Sequence, residues 1–130
     1  MSARPCRIGV DMVAVADVDA SLERFGGRYL VRVFTPHEVE SCVGRRRAER
    51  LAARFAAKEA VVKVLRPDPD DALPWCDIEI WRHTAGWCEV RLHGRAARIA
   101  RRAGLGAWSV SMSHERGMAC AAVVAQEDER

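Results

Sequence analysis

One stretch, residues 51–65, constrains the fold of this chain more than any other. Its residues are mostly Ala, Leu, Lys, Glu and Arg, which favour helix, and Arg66-Pro67 follows as a helix stop. At about 100° per residue, five apolar side chains share one broad face: Leu51, Ala52, Phe55, Val62 and Leu65. The stretch therefore predicts a central helix with one face packed against a core.

Glu59 lies at the margin of that face rather than opposite it. It precedes Lys63 by one turn, and Arg54 and Lys58 have the same i,i+4 spacing on the other flank. In one interpretation, Glu59 and Lys63 form a solvated ion pair that stabilises the helix by about 0.2–0.5 kcal/mol. In the other, the carboxylate at the edge of the core contacts a ligand.

The composition indicates one globular domain with an acidic or polyanionic partner. The chain has 130 residues, of which 49% are hydrophobic and 30% charged, and it contains no apolar run long enough to span a membrane. Five cysteines without Cys-x-x-Cys or zinc-like spacing favour reduced thiols in a cytoplasm. The net charge is +3, with arginines clustered at 45–50 and 95–102, but no nucleic-acid-binding motif is present. A compositional bias towards arginine remains an alternative explanation of those clusters.

The rest of the sequence alternates short helices and strands. The run Thr35-Pro36-His37-Glu38 fits a capped helix start, with a capping box and a proline in the first turn. Strands are expected at 6–13, 29–34, 77–81, 89–92, 108–113 and 118–125, and further helices at 17–25 and 94–103. The strands at 77–81 and 89–92 should form a hairpin, and 118–125 should be central. Without regular βαβ alternation, this order favours the α+β class.

Asp11 is the unusual residue of the first strand. Ile8, Val10 and Met12 alternate with Gly9 and Asp11, so the aspartate should face away from Ile8 and Met12. Aspartate is disfavoured inside strands, and a structural role at a strand end or turn is one interpretation. A functional carboxylate is the other.

Three patches together resemble a known family. They are Ile-Gly-Val-Asp-Met-Val at 8–13, Arg-Phe-Ala-Ala-Lys-Glu-Ala-Val-Val-Lys at 54–63 and Trp-Ser-Val-Ser-Met-Ser-His at 108–114. Their order and spacing resemble the small holo-acyl-carrier-protein synthases of the 4′-phosphopantetheinyl transferase superfamily, over nearly the entire chain. The resemblance implies a single domain, 1–130, of α+β class with an antiparallel sheet packed against helices.

The resemblance also implies an activity. Members use Mg²⁺ to transfer 4′-phosphopantetheine from coenzyme A to a serine of an apo acyl carrier protein, and they release 3′,5′-ADP. The modified carrier protein serves fatty-acid or polyketide biosynthesis. By their match to the family motifs, Asp11 and Glu59 are the expected Mg²⁺ ligands and, with Lys63, the expected catalytic residues. The expected coenzyme A contacts are Arg45, Arg54, Lys58, Lys63 and His114. A non-catalytic module that binds coenzyme A or a carrier protein and retains the fold is the alternative.

The partners implied by the resemblance are coenzyme A, an apo acyl carrier protein and further copies of the chain. A homotrimer with active sites at its subunit interfaces is expected, with neither a nucleic acid nor a membrane as partner. Arg24 and Arg28 are the candidates for contact with an acidic carrier. The sequence departs from the family at 64–69, where a glycine-rich segment is common, and at Gly86-Trp87-Cys88, where Gly-Lys-Pro is common.

Overall fold

The computed structural model describes residues 4–128. Helices and strands follow one another in the order β1 (Cys6–Ala14), α1 (Val15–Phe25), α2 (Gly27–Val33), α3 (Pro36–Ser41), α4 (Arg47–Leu65), β2 (Ile78–Arg82), β3 (Cys88–Leu92), α5 (Gly94–Arg102), β4 (Leu105–Glu115) and β5 (Met118–Glu127). A short 3₁₀ turn, Trp75–Asp77, precedes β2. The segregation of helices and antiparallel strands is the α+β arrangement expected from the sequence.

Two antiparallel sheets form the strand layer. The larger has the order β1-β5-β4, so β5 is central as predicted, and the smaller is the predicted β2-β3 hairpin. In the larger sheet Asp11 lies opposite Ala121, which lies opposite Met112 on the far strand. A register shift between Gly106 and Ser109 marks a bulge near the start of β4.

Helix α4 is the centre of the core, but it is enclosed on more sides than a single apolar face requires. It packs against β1 and β5 and also against α1, α3, β2 and α5. Its buried side chains include Arg54 and Lys58, whereas Phe55, Glu59 and Val62 are only partly buried. The predicted apolar face is therefore correct for Leu51 and Leu65 but wrong for the strip around Phe55 and Val62, which borders Glu59.

The first strand has the predicted alternation, with its apolar row on the unexpected side. Gly9 and Val13 face α4 and are buried, while Ile8, Val10 and Met12 are 69%, 53% and 62% exposed in the single chain. Alternation indicates that two faces differ, but it does not indicate which face a helix covers. The larger sheet thus has one face against α4 and one open face with an exposed apolar row.

Two local predictions were wrong. Residues 29–34 were expected to be extended because they are rich in β-branched and aromatic residues, yet α2 occupies Gly27–Val33. Burial of Val33 and Phe34 and an edge contact between the Tyr29 and Phe34 rings accompany the helical conformation. Helix α1 begins at Val15, two residues before the predicted start, with no side-chain cap, and the Val15 N–H donates to the carbonyl oxygen of Gly117.

The capping box at the start of α3 was predicted correctly and extends further than the motif requires. Glu38 N–H donates to Thr35 Oγ1 at 3.3 Å, and Thr35 N–H donates to Glu38 Oε1 at 2.8 Å. The second oxygen of Glu38 accepts a hydrogen bond from Ile80 N–H at 2.8 Å. The box therefore also joins α3 to β2.

Candidate active site

Two carboxylates that are distant in sequence meet at the edge of β1. Asp11 lies on the face of β1 that packs against α4, and Glu59 lies on the partly open strip of α4. The two carboxyl groups are within hydrogen-bonding reach of each other. Partial burial, the contact with Asp11 and the negative charge of Asp11 raise the pKa of Glu59 to about 7, although the Lys63 ammonium lowers it.

A close approach of α4 to β1 brings this pair together. A Cβ atom at Gly9 would lie 2.2 Å from the carbonyl oxygen of Ala60, a distance that no side chain tolerates. Gly9 precedes Asp11 by two residues on the same face, and Ala60 follows Glu59. The missing side chain of Gly9 therefore permits the close helix–strand contact that places Glu59 against Asp11.

The pair has the chemistry of a site for a hard divalent cation. The Asp11 side chain is only 14% exposed, and its Oδ2 atom is buried without a hydrogen-bond partner. An oxygen left without a donor, beside a second carboxyl group whose pKa is raised, is stabilised by a cation placed between the two. Mg²⁺ fits such a pair, because it takes one or two carboxylates together with waters and phosphate oxygens.

Lys63 belongs to the same group of charges. Its Nζ donates to the carbonyl oxygen of Val10 at 2.7 Å and to Asp11 Oδ1 at 3.3 Å, while its side chain is 55% exposed. The lysine therefore crosses to β1 to contact Asp11, rather than forming the simple helix pair with Glu59. Its exposed ammonium is available to an anion that approaches the carboxylates.

A second group of charges lies in a cleft of about 180 Å³ between α4, the β2-β3 hairpin and β4. Three guanidinium groups and an imidazole line it together with small and apolar residues: Arg50, Ala53, Arg54, Arg82, Gly86, Cys88, Met112, Ser113 and His114. We call it the arginine cleft. Its charge fits a phosphate group.

Arg54 supplies the strongest indication that the arginine cleft binds a ligand. The residue is only 6% exposed, and its Nε has no hydrogen-bond partner. Its other nitrogens make long contacts, to the Arg50 carbonyl at 3.5 Å and to Cys88 Sγ at 3.8 Å. A buried guanidinium with so few acceptors leaves donors for an anion.

His114 lies at the border of the arginine cleft and contacts the start of α4. Its Nδ1 is 3.0 Å from Glu49 Oε2. Glu49 and Glu59 are ten residues apart on one helix, a rise of about 15 Å. The predicted site residues thus form two groups in a single chain, with Asp11, Glu59 and Lys63 in one and Arg54 and His114 in the other.

Lys58, expected to contact coenzyme A, is placed elsewhere. Its side chain is 0% exposed, and its Nζ lies 2.7 Å from Glu38 Oε1, whose side chain is equally buried. The same nitrogen donates to the carbonyl oxygens of Trp75 at 3.1 Å and Ile78 at 2.5 Å. All three ammonium protons have acceptors inside the core, which gives Lys58 a structural role in this chain. Its expected contact with coenzyme A stays a prediction.

Arg45 is exposed and also lies apart from the arginine cleft. It borders a cavity of about 470 Å³ between α1 and the start of α4, which also contains Arg47, Asp19 and Glu23. This mixed charge is less suited to an anion than the arginine cleft. Arg45 is therefore not grouped with Arg54 and His114 within one chain.

An apolar groove of about 440 Å³ runs beside α2. Its floor is apolar or aromatic, and its rim carries two arginines. The lining residues are Phe25, Arg28, Tyr29, Arg32, Val33, Phe55 and Trp75. Tyr29 and Phe55 also line a smaller cavity of about 280 Å³ that contains Glu59. The groove and the cavity beside Glu59 therefore share two lining side chains. Arg28, predicted as a carrier contact, lies on its rim, and Arg24 lies over the Phe25 ring at 5.2 Å.

Comparison with known proteins identifies the family. A family model described as the 4′-phosphopantetheinyl transferase superfamily matches residues 7–123. The chain belongs to this superfamily. The holo-[acyl-carrier-protein] synthase of Desulforudis audaxviator is 47% identical over 119 residues, which cover 91% of this chain and 90% of that protein. That of Frankia alni is 44% identical over 119 residues, covering 92% and 95%.

Solved structures agree with this assignment. The Chronobacterium ammoniagenes ACPS-CoA complex superposes with a TM-score of 0.84 at 28% identity, covering 96% of this chain and 99% of that one. The Helicobacter pylori holo-[acyl-carrier-protein] synthase in complex with coenzyme A gives a TM-score of 0.79 at 28% identity, covering 92% and 99%. The family resemblance, the enzyme class and the fold expected from the sequence are confirmed.

Sequence reasoning missed two cations of the arginine cleft. Arg50 was noticed only as part of a basic cluster, and Arg82 was not considered for the site. Arg50 precedes Arg54 by one helical turn, which could have joined the two. No local pattern marks Arg82, because its position depends on where the hairpin packs.

Proposed function

We propose that this chain transfers the 4′-phosphopantetheine group of coenzyme A to a serine of an apo acyl carrier protein, with release of 3′,5′-ADP. The observation that carries the proposal is the contact between Asp11 and Glu59, with Lys63 bonded to the same aspartate. These residues match the metal and phosphate positions of the family's motifs, and they are close in space as those roles require. A bound Mg²⁺ ion would neutralise the pyrophosphate and polarise its oxygens.

The two groups of charge suit the two anionic parts of coenzyme A. If the pyrophosphate binds beside Asp11, Glu59 and Lys63, the ribose 3′-phosphate remains for the arginine cleft. Arg54 and His114, both expected to contact coenzyme A, line that cleft. Lys63 would then stabilise the charge that grows on the leaving 3′,5′-ADP.

The separation of the two groups favours a site shared between subunits. Glu49, which contacts His114, is separated from Glu59 by a rise of about 15 Å along α4. This separation argues against a single chain that brings His114 to Glu59. The exposed row of Ile8, Val10 and Met12 supplies an apolar surface for another copy of the chain. We propose a homotrimer in which Asp11 and Glu59 of one subunit meet the arginine cleft of the next.

The apolar groove beside α2 is the proposed docking surface for the carrier. Its aromatic floor suits apolar side chains of a carrier helix, and Arg28 and Arg32 on its rim suit acidic ones. Because Tyr29 and Phe55 also line the cavity that contains Glu59, a serine at the end of such a helix could reach the pyrophosphate.

A further expectation concerns location. In residues 4–128 no helix is long and apolar enough to span the bilayer. All five cysteines are free thiols. We propose a cytoplasmic enzyme on the basis of those thiols, in keeping with a reducing compartment.

The decisive experiment is mass spectrometry of candidate apo carrier proteins, of fatty-acid and polyketide type, incubated with this protein, coenzyme A and Mg²⁺. We expect a mass increase of about 340 Da on the carrier serine, the mass of the transferred group. The Asp11→Asn variant and an incubation with EDTA serve as controls and should leave the carrier unchanged. Coenzyme A binding without any mass change would favour the non-catalytic module.

A further inference from the structure

The Glu49 side chain contacts His114 at the border of the arginine cleft. Its Oε2 lies 3.0 Å from His114 Nδ1, and both side chains are partly exposed. His114 lines the cleft, whereas Glu49 borders the separate 470 Å³ cavity on the other side. A ligand in the arginine cleft would therefore touch the imidazole but not the carboxylate.

This contact assigns the two imidazole nitrogens to different tasks. Nδ1 faces a carboxylate, which only accepts hydrogen bonds, so Nδ1 carries a proton and donates it. Nε2 is then the nitrogen left for a group in the cleft. In the charged ring Nε2 is also a donor, and it can donate to a phosphate oxygen beside the three guanidinium groups.

We propose that Glu49 is a positioning residue for substrate binding: it holds the ring of His114 so that Nε2–H is directed to the 3′-phosphate of coenzyme A. This inference rests on the proposed function. Carboxylates that orient metal-binding histidines act in the same way, and removing them weakens binding through the histidine.

A purely structural role predicts a different result. Glu49 lies in the first turn of α4, where a negative charge favours the helix, and it follows three consecutive arginines. If that were its only role, removing the carboxylate would lower the melting temperature without a selective effect on one phosphate of the ligand. Binding measurements therefore distinguish the positioning role from the purely structural one.

The test compares Glu49→Ala, Glu49→Gln, His114→Ala and the Glu49→Ala/His114→Ala double variant. Glu40→Ala, at an exposed glutamate of α3, is the matched control. Steady-state kinetics give kcat and KM for coenzyme A, and calorimetry gives Kd for coenzyme A and for dephospho-coenzyme A, which lacks the 3′-phosphate. Thermal unfolding is measured on every variant.

For Glu49→Ala we expect KM and Kd for coenzyme A to rise about tenfold, the lower end of the range for losing a partner that orients a histidine. The turnover number and the Kd for dephospho-coenzyme A should change little. In the His114→Ala background Glu49→Ala should add no further loss, since no ring remains to orient. The KM and Kd of Glu49→Gln for coenzyme A should lie between those of the wild type and those of Glu49→Ala, because the amide keeps an acceptor oxygen but can also turn its NH₂ to the ring. The Glu40→Ala control should match the wild type.

Any one of three results would overturn the positioning role and leave the proposed function standing. They are unchanged coenzyme A binding by Glu49→Ala, an equal loss of affinity for coenzyme A and dephospho-coenzyme A, or losses that add fully in the double variant with His114→Ala. A wild-type protein that neither binds coenzyme A nor modifies any carrier would overturn the proposed function, and this inference with it.

Discussion

Lys58 and Glu38 form an ion pair in which neither side chain is exposed, with 2.7 Å between Nζ and Oε1. The pair joins α4 to the capped start of α3, and Glu38 continues the connection to β2 through Ile80 N–H. The lysine of the most family-specific segment of the sequence thus connects three elements of the core that supports the site.

The Lys58→Met variant should be destabilised by about 3–5 kcal/mol, because Glu38 would remain as a buried charge without a partner. Urea denaturation measures the change, and the Glu38→Gln/Lys58→Met double variant should recover part of it. A Lys58→Met protein of normal stability but raised KM for coenzyme A would instead support the expected contact of Lys58 with coenzyme A.

The stability of the metal-free protein should depend on Glu59 between about pH 5 and 8. The pKa of this group in the folded protein is raised from 4.5 to about 7. The folded state therefore binds the proton more tightly than the unfolded state, and stability falls as pH rises from the unfolded value through the folded one. Above pH 7 the ionised carboxylate beside Asp11 is unfavourable.

Glu59→Gln removes this penalty, so at pH 8 in EDTA the variant should be more stable than the wild type. Solvent screening of a partly exposed group limits the gain to the order of 1 kcal/mol. Denaturation at pH 5 should give little difference between the two proteins, and Mg²⁺ at pH 8 should stabilise the wild type more than the variant. A variant that is less stable at both pH values would contradict the assigned repulsion.

Lys63→Ala should lower the turnover number more than it raises KM for coenzyme A. The ammonium contacts Asp11 beside the proposed pyrophosphate position, where charge increases as the bond to the leaving group breaks. Steady-state kinetics with coenzyme A as the varied substrate separate the two effects. Unchanged turnover with weaker binding would instead make Lys63 a ground-state phosphate contact.

Val10→Glu should dissociate the proposed trimer, because it places a charge in the exposed apolar row of β1. Light scattering should give three times the 14.5 kDa chain mass for the wild type and a single chain for the variant, with loss of activity. Val43→Glu, at another exposed valine, should leave assembly unchanged.

The same model predicts that mixed Glu59→Gln and His114→Ala subunits recover part of the activity that each lacks, since one interface in the mixture has both halves intact. A wild-type protein that is fully active as a single chain would contradict the shared site.

Arg28→Glu should impair use of the carrier protein while coenzyme A binding stays normal. The guanidinium lies on the rim of the groove proposed for an acidic carrier helix, and exposed charges of this kind mainly affect the rate of association. The rise in KM for the carrier should shrink as salt increases, since screening acts within about 10 Å at 0.1 M. Arg98→Glu on α5 is the matched control, and an equal effect there would remove the specific role of the groove.

Features with a local cause were predictable from the sequence. The capping box of Thr35 and Glu38, the β2-β3 hairpin and the helical run of α4 depend on neighbours within a few residues. The family resemblance then placed Asp11 and Glu59 as partners, and the structure brings them together.

Features set by tertiary packing were not predictable. Helical spacing places Arg54 and Lys58 on one flank but does not reveal that Trp75 and Ile78 enclose the lysine. Alternation along β1 separates two faces without indicating that the apolar one stays exposed. Arg82 enters the arginine cleft only because the hairpin packs beside α4 and β4.

The contact of Gly9 with Ala60 couples catalysis to folding in an unusually direct way. Each residue is close in sequence to one of the paired carboxylates, so the spacing between helix and strand is also the spacing of the two proposed metal ligands. One added methyl group at Gly9 would separate α4 from β1 and, with them, Glu59 from Asp11. Selection for activity and selection for a well-packed core therefore act on the same contact between helix and strand.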